Sequence, residues 1–227
     1  MKLERIEYFK EKFKAYLKET EDYSELYKYE CLQNFINHWD LSDVDLLETY
    51  SNSLTSNITG RLWGGSRNSA KSMMQEFISL DREFMRSVFR DLFDESKDLT
   101  GRIQRFRFHC DQLLFELRDS RKKLTSHFHT EKTISMYLSF NDPKKYTLYS
   151  YKSFSKVMEK IELQELPQIF ELERFFKIST AIYKILSKDD ELMTLHRSLR
   201  ADSSFYQEDT MLMVHDFFAI CSNDDII

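Results

Sequence analysis

Apolar residues recur along most of this chain at the three- and four-residue spacing of amphipathic helices. The clearest case runs from 97 to 118, where one helical face collects Leu99, Ile103, Phe106, Cys110, Leu113 and Leu117. Weaker forms of the same spacing predict helices over 1–19, 22–38, 42–54, 70–93 with a break at Asp81, 131–140, 150–161, 167–187, 189–200 and 207–221.

The scarcity of turn residues points the same way. The chain has 227 residues but only 4 Gly and 2 Pro, whereas sheet-rich folds use both freely in turns. We therefore predict an all-α multi-helix bundle of about nine to eleven helices, with at most one short extended segment, near 146–149. We expect one domain over 1–227 with a sub-boundary near 141–152, and Pro167 in the first turn of its helix.

Composition limits the chemistry that the chain can support. Neither a GxxxxGK[ST] phosphate loop nor a GxGxxG fingerprint is present, so we predict no cofactor. Three widely spaced cysteines, Cys31, Cys110 and Cys221, are typical of buried free thiols in a reducing cytoplasm. The charged N-terminus is unlike a signal peptide, and no apolar run is long enough for a membrane span, so we expect a cytoplasmic protein.

A basic stretch occupies the middle of an otherwise acidic chain. The net charge is −5, yet residues 61–123 hold 14 Lys/Arg and 10 Asp/Glu. Arginines bind phosphates in bidentate fashion, and an exposed Trp can stack on a base. The candidate nucleic-acid contacts are Arg61, Trp63, Arg67, Lys71, Arg82, Arg86, Arg90, Arg102 and Arg105. The alternative is a solvated face paired with acids such as Glu83, Asp94 and Asp98.

Other potentially reactive groups do not complete a known site in the sequence. His127 and His129 offer two imidazoles, but zinc needs three or four ligands and no CxxC or HExxH accompanies them, so we predict no metal site. Arg121 and His127 have the R-x5-H spacing of the HEPN ribonucleases, although Lys122 follows the Arg where those enzymes usually carry Asn or Asp. We predict no catalytic residue in this chain.

Several short stretches carry a family resemblance over about 25–160. They are YKYE at 27–30 with Phe35 and HWD at 38–40, SRN at 66–68, RSVFRDLFDESKDL at 86–99, and ISMYL at 134–138 leading into PKKYTLYSY at 143–151. In order and spacing they resemble the amino-terminal region of bacterial AAA+ proteins related to McrB. Trp63-Gly64-Gly65 departs from that pattern. Arg67, Arg86 and Arg90 lie at matching positions.

The resemblance implies a setting and partners. In McrB-type systems a variable N-terminal domain recognises nucleic acid, a C-terminal AAA+ motor hydrolyses nucleotide, and a McrC-type nuclease cuts. This chain holds no motor and stops at Ile227, about where one could begin. We therefore expect an excised specificity or adaptor domain of a restriction and phage-defence ATPase. Its parent would oligomerise through the absent AAA+ domain and work with a McrC-like nuclease.

Three functions remain open from the sequence. The leading hypothesis is a noncatalytic domain that recognises DNA, including modified DNA, through the basic stretch. The alternative is a protein–protein interaction or assembly module, in which an exposed apolar patch would matter more than the arginines. The third is a HEPN-like ribonuclease that uses His127.

Overall fold

The protein is all-α. The structure, a computed structural model, describes residues 1–21, 23–55, 60–63, 69–120 and 125–224, without the side chains of 63, 119 and 120. Within these residues the chain forms twelve helices and no strand, which confirms the predicted fold class. They are α1 (Leu3–Glu19), α2 (Tyr27–His38), α3 (Leu46–Ser53), α4 (Gly60–Trp63), α5 (Ala70–Leu80), α6 (Arg82–Phe93), α7 (Leu99–Ser120), α8 (Glu131–Asn141), α9 (Tyr151–Lys160), α10 (Leu172–Leu186), α11 (Asp190–Ser198) and α12 (Leu212–Cys221).

The helix break expected at Asp81 is present and has a clear cause. The extended backbone of Asp81 ends α5, and its Oδ1 accepts a hydrogen bond from the Phe84 N–H at 2.9 Å, which caps the start of α6. One residue therefore ends one helix and begins the next. The two helices pack against each other across this sharp corner.

Other boundaries differ from the predictions. The helix predicted over 42–54 begins only at Leu46, where Asp45 caps α3, while the N–H and hydroxyl of Ser42 both donate to Asp40 at 2.7 Å. The short helix α4 lies between the helices predicted over 42–54 and 70–93, where the pattern predicts none. Pro167 lies outside α10, which begins only at Leu172.

The helices group into two compact units. Unit 1 contains residues 1–30 and 142–227, and unit 2 contains residues 31–141. The second boundary lies at the edge of the 141–152 stretch where the sequence suggests a sub-boundary. The first falls inside the continuous helix α2 and has no counterpart in the sequence pattern.

Unit 2 is built around the aromatic face of α6. This helix packs against α3, α5, α7 and α8. The fully buried Phe89 ring lies within 5.3–6.3 Å of the rings of Trp39, Tyr50, Phe93, Phe106 and Tyr137. The predicted apolar stripe of α7 faces this core, since all of its members except the half-buried Leu99 are buried.

Unit 1 is built around α12, which packs against α1, α9 and α10. Apolar side chains cover nearly all sides of α12, so the helix is buried almost completely. Asp216 lies in the middle of this helix, and its side chain is therefore fully buried as well. A carboxylate in this position requires partners, and they form the polar cluster described below.

Candidate functional site

Arg86 is not available as a phosphate contact. Arg86 lies four residues from both Arg82 and Arg90 on α6, but it is only 5% exposed. Its guanidinium donates to the Leu41 carbonyl and, at 3.1 Å, to Glu83. Arg86 therefore points inward and fixes the loop before α3.

Arg102 also has a structural role in place of the predicted one. This arginine is 1% exposed, and its Nη1 donates to the Leu92 carbonyl at 2.8 Å and to Glu95 at 2.7 Å. A guanidinium at the last carbonyls of α6 satisfies acceptors that have no partner within the helix and complements the helix dipole. Arg102 therefore stabilises the α6–α7 corner.

Lys71 also has hydrogen-bond partners within unit 2. Its Nζ donates to the Leu54 carbonyl at 3.1 Å and to Thr55 Oγ1 at 3.0 Å, and burial lowers the pKa of its ammonium group. The side chain thus ties α5 to the end of α3. Trp63 lies in α4 but its side chain falls outside the described residues, as does the whole of Arg67.

The remaining candidates are exposed, and two of them pair with acids. Arg105 donates to both carboxylate oxygens of Asp91, at 2.7 and 3.2 Å, and this hydrogen bonding lowers the pKa of Asp91. Arg82 contacts Glu83 at 3.3 Å in a solvated pair of the kind that contributes little. Arg61 and Arg90 are exposed on α4 and α6. Among the described candidates, Arg86 and Arg102 are thus buried and do not share a surface with the exposed arginines.

The outer face of α7 carries two exposed aromatic residues that sequence reasoning missed. Phe108 is 58% exposed and Phe115 is 67% exposed. They are two helical turns apart, with the exposed carboxylate of Asp111 on the turn between them. We name Phe108, Asp111 and Phe115 the outer face of α7. Their signal was visible in the sequence as apolar residues at polar positions of the clearest amphipathic helix.

A buried ion pair lies at the centre of unit 1. The Lys28 ammonium donates to Asp216, to Glu25 at 2.5 Å and to His215 Nδ1 at 2.8 Å. Lys28 and Asp216 are both fully buried. Burial alone would lower the pKa of Lys28, but the nearby carboxylates, Asp216 first, raise it, so the ammonium stays charged.

The other oxygen of Asp216 is also satisfied. Asp216 Oδ2 accepts from the Tyr29 hydroxyl at 2.7 Å and contacts His196 Nε2 at 3.0 Å. Burial would raise the pKa of Asp216, but the charge of Lys28 and the hydrogen bond from His196 hold it well below its usual range. The Lys28–Asp216 pair at the centre of the cluster is fully buried, so the cluster offers no open surface to a substrate. Lys28 and Asp216 are 188 positions apart in the chain, so sequence spacing carries no signal for their pairing.

The HEPN-like hypothesis stays a prediction. Arg121 lies outside the described residues. The ring of His127 is largely buried, and its Nε2 lies 3.3 Å from Asp111 Oδ1.

Comparison with known protein families, curated proteins and solved structures finds no match to this chain. Among the described residues, no helix is long and apolar enough to cross a membrane.

Proposed function

We propose that this chain is a noncatalytic adaptor domain that binds a partner protein through the outer face of α7. The exposure of Phe108 and Phe115 is the observation that carries the proposal. Large aromatic side chains are enriched at the centres of protein interfaces, where a few of them supply most of the binding energy. Two phenyl rings on one rigid helix are held in place at little entropic cost.

The negative charge between these rings favours a protein over a nucleic acid. Asp111 lies one turn from each ring, and its carboxylate is 69% exposed. A phosphate backbone laid along this face would meet that negative charge directly. A partner with an apolar pocket and a basic rim would instead gain from it.

The resemblance to McrB-related proteins supplies the setting of the proposal. In those systems an N-terminal domain works beside an AAA+ motor and a McrC-type nuclease. An adaptor in this position would link the motor to a target or to another subunit of a restriction assembly.

Affinity capture with a face-specific variant tests the proposal. The wild-type chain, Phe108→Asp/Phe115→Asp, and the control Phe170→Asp are immobilised and exposed to extract of the native cells. Phe170 is 69% exposed and lies in unit 1, so it matches Phe115 in exposure. We expect one protein that the wild type and the control retain and the double variant loses. Identical retention by all three chains would contradict the proposal.

DNA recognition is the second candidate, and the exposure of Arg82, Arg90 and Arg105 favours it. Such binding would weaken steeply with salt because each phosphate contact releases counterions. Fluorescence anisotropy with duplex DNA should then show weaker binding and a shallower salt dependence for Arg82→Ala/Arg90→Ala. Lys177→Ala, which removes a 73% exposed cation of unit 1, is the control. Equal affinity of all three proteins would remove this candidate.

A further inference from the structure

We propose that Cys110, His127 and His129 of unit 2 form a binding site for one divalent transition-metal ion. Each residue offers one ligand atom, and these atoms all lie within 4.8 Å of one another. The Nδ1 atoms of His127 and His129 are 3.2 Å apart. Two nitrogen ligands of one tetrahedral zinc ion, each at about 2.0–2.1 Å, are separated by about 3.3 Å. The two rings are therefore already spaced as ligands of a common ion.

The backbone between the histidines is held in an unusual conformation. Phe128 has φ of 60°, a left-handed geometry that costs energy for a bulky residue. This turn brings two side chains that are two residues apart to one point. The His129 N–H donates to His127 Nδ1 at 3.0 Å and fixes the ring. When the ion binds, the Nδ1 lone pair coordinates the ion instead of accepting this hydrogen bond.

The third ligand arrives from the core side. Cys110 is fully buried on the apolar stripe of α7, and the adjacent His109 faces away, toward Gln112 and Phe84. The pairing of Cys110 with His127 and His129 depends on how the chain returns after α7. The sequence therefore showed only two of the three ligands.

Each ring nitrogen that faces away from the site has an orienting partner. His127 Nε2 lies 3.3 Å from Asp111 Oδ1, and His129 Nε2 lies 3.4 Å from the Tyr137 hydroxyl, which contacts Tyr50 at 2.8 Å. Metal-binding histidines usually donate their second N–H to a carboxylate or another acceptor, which sets the tautomer and the direction of the ring. Asp111 is the positioning residue for His127.

The donor set suits a soft or borderline cation, which binds the cysteine as a thiolate and displaces its proton. One thiolate and two imidazoles are donors that Zn²⁺ and Co²⁺ accept.

A second group of possible metal ligands, in unit 1, differs from this site because its centre is already occupied. Glu25, His215 and Asp216 also bring their ligand atoms within 4.8 Å of one another, but all three contact the Lys28 ammonium. A cation already occupies that point, so we propose no metal there.

Titration of the whole chain with Co²⁺ tests the site. We expect one ion per chain and a sulfur-to-cobalt charge-transfer absorption in the near ultraviolet, which Zn²⁺ abolishes by displacement. Cys110→Ser should remove the band, and His127→Ala should weaken binding at least tenfold. Asp111→Asn should weaken binding by about 10–100-fold because it removes the positioning carboxylate.

Matched variants separate the site from adventitious binding. His109→Ala and Cys31→Ser remove a histidine and a buried thiol outside the cluster and should leave the band unchanged. Native mass spectrometry on the same proteins counts bound ions independently of the spectrum, and far-ultraviolet circular dichroism confirms that each variant is folded. An absent band in the wild type, or a band retained by folded Cys110→Ser, would overturn the proposal.

Discussion

At the residue scale, we expect single buried charges to have the largest effects on the free energy of unfolding. Lys28 and Asp216 neutralise each other inside unit 1, with Glu25 as a further partner of the ammonium. Removing one member of such a pair leaves an uncompensated buried charge, which costs much more than the pair itself contributes.

Asp216→Asn should therefore lower the free energy of unfolding by about 3–5 kcal/mol. Lys28→Met/Asp216→Asn should lose less than the sum of the two single variants, because it removes the two fully buried opposite charges together. Urea denaturation of the four proteins measures the coupling. Strict additivity of the two single effects would contradict the pairing.

His196 gives the stability of unit 1 a pH dependence. Burial lowers the pKa of His196, although Asp216 beside it acts in the opposite direction. The ring is thus neutral in the folded state, while the unfolded chain binds a proton below about pH 6.5. The unfolded state holds more protons in this range, so stability falls as the pH decreases, by up to about 1.4 kcal/mol per pH unit.

We expect the wild type to lose more stability between pH 7 and pH 5 than His196→Asn does. Urea denaturation of both proteins at the two pH values gives the difference. Asp216 adds no pH dependence to the stability between pH 7 and pH 5. Its lowered pKa affects stability only below about pH 3.9, the pKa of Asp in the unfolded chain. Equal losses in the two proteins would show that His196 does not carry the dependence.

At the scale of the helix, the arginines of α6 differ in role despite their regular spacing. Arg86→Ala should lower the free energy of unfolding by about 1–3 kcal/mol, because the Leu41 carbonyl loses its buried donor. Arg90→Ala should change it by less than about 0.5 kcal/mol, since Arg90 is exposed. Thermal denaturation of the two variants checks the contrast. A larger loss of stability in Arg90→Ala than in Arg86→Ala would contradict the structural role of Arg86.

The spacing of apolar residues predicted the helices well because a helix depends on residues that are close together in the sequence. The α7 stripe and the corner at Asp81 follow from residues within a few positions of each other. Periodicity does not say which side of a helix its neighbours will cover. The pattern therefore predicts exposed side chains for Arg86 and Arg102, as nucleic-acid contacts or as a solvated face, but the loop before α3 and the end of α6 bury them.

The sites were harder to predict than the helices because their members are far apart in sequence. Lys28 meets Asp216 only after the chain returns through α12, and Cys110 meets His127 and His129 only after α7 ends. The exposure of Phe108 and Phe115 could have been predicted from the sequence, because the two residues interrupt the polar side of α7. An unexplained apolar residue on a polar face was thus the most useful overlooked signal.

At the scale of the whole molecule, the two units carry different properties. Unit 1 contains the charge cluster around Asp216, whose central pair is fully buried. Unit 2 contains the outer face of α7 and the proposed metal site, and it includes the basic stretch 61–123. We therefore propose that a partner is recognised through unit 2.

Site-specific photo-crosslinking tests the proposed recognition face most directly. Benzoylphenylalanine replaces Phe108, Phe115 or, as the control, Phe170, and each protein is irradiated in native cells. We predict that positions 108 and 115 crosslink to the same partner protein and that position 170 does not. Crosslinking at all three positions alike, or no protein adduct at 108 and 115, would contradict the assignment of the outer face of α7 as the binding surface.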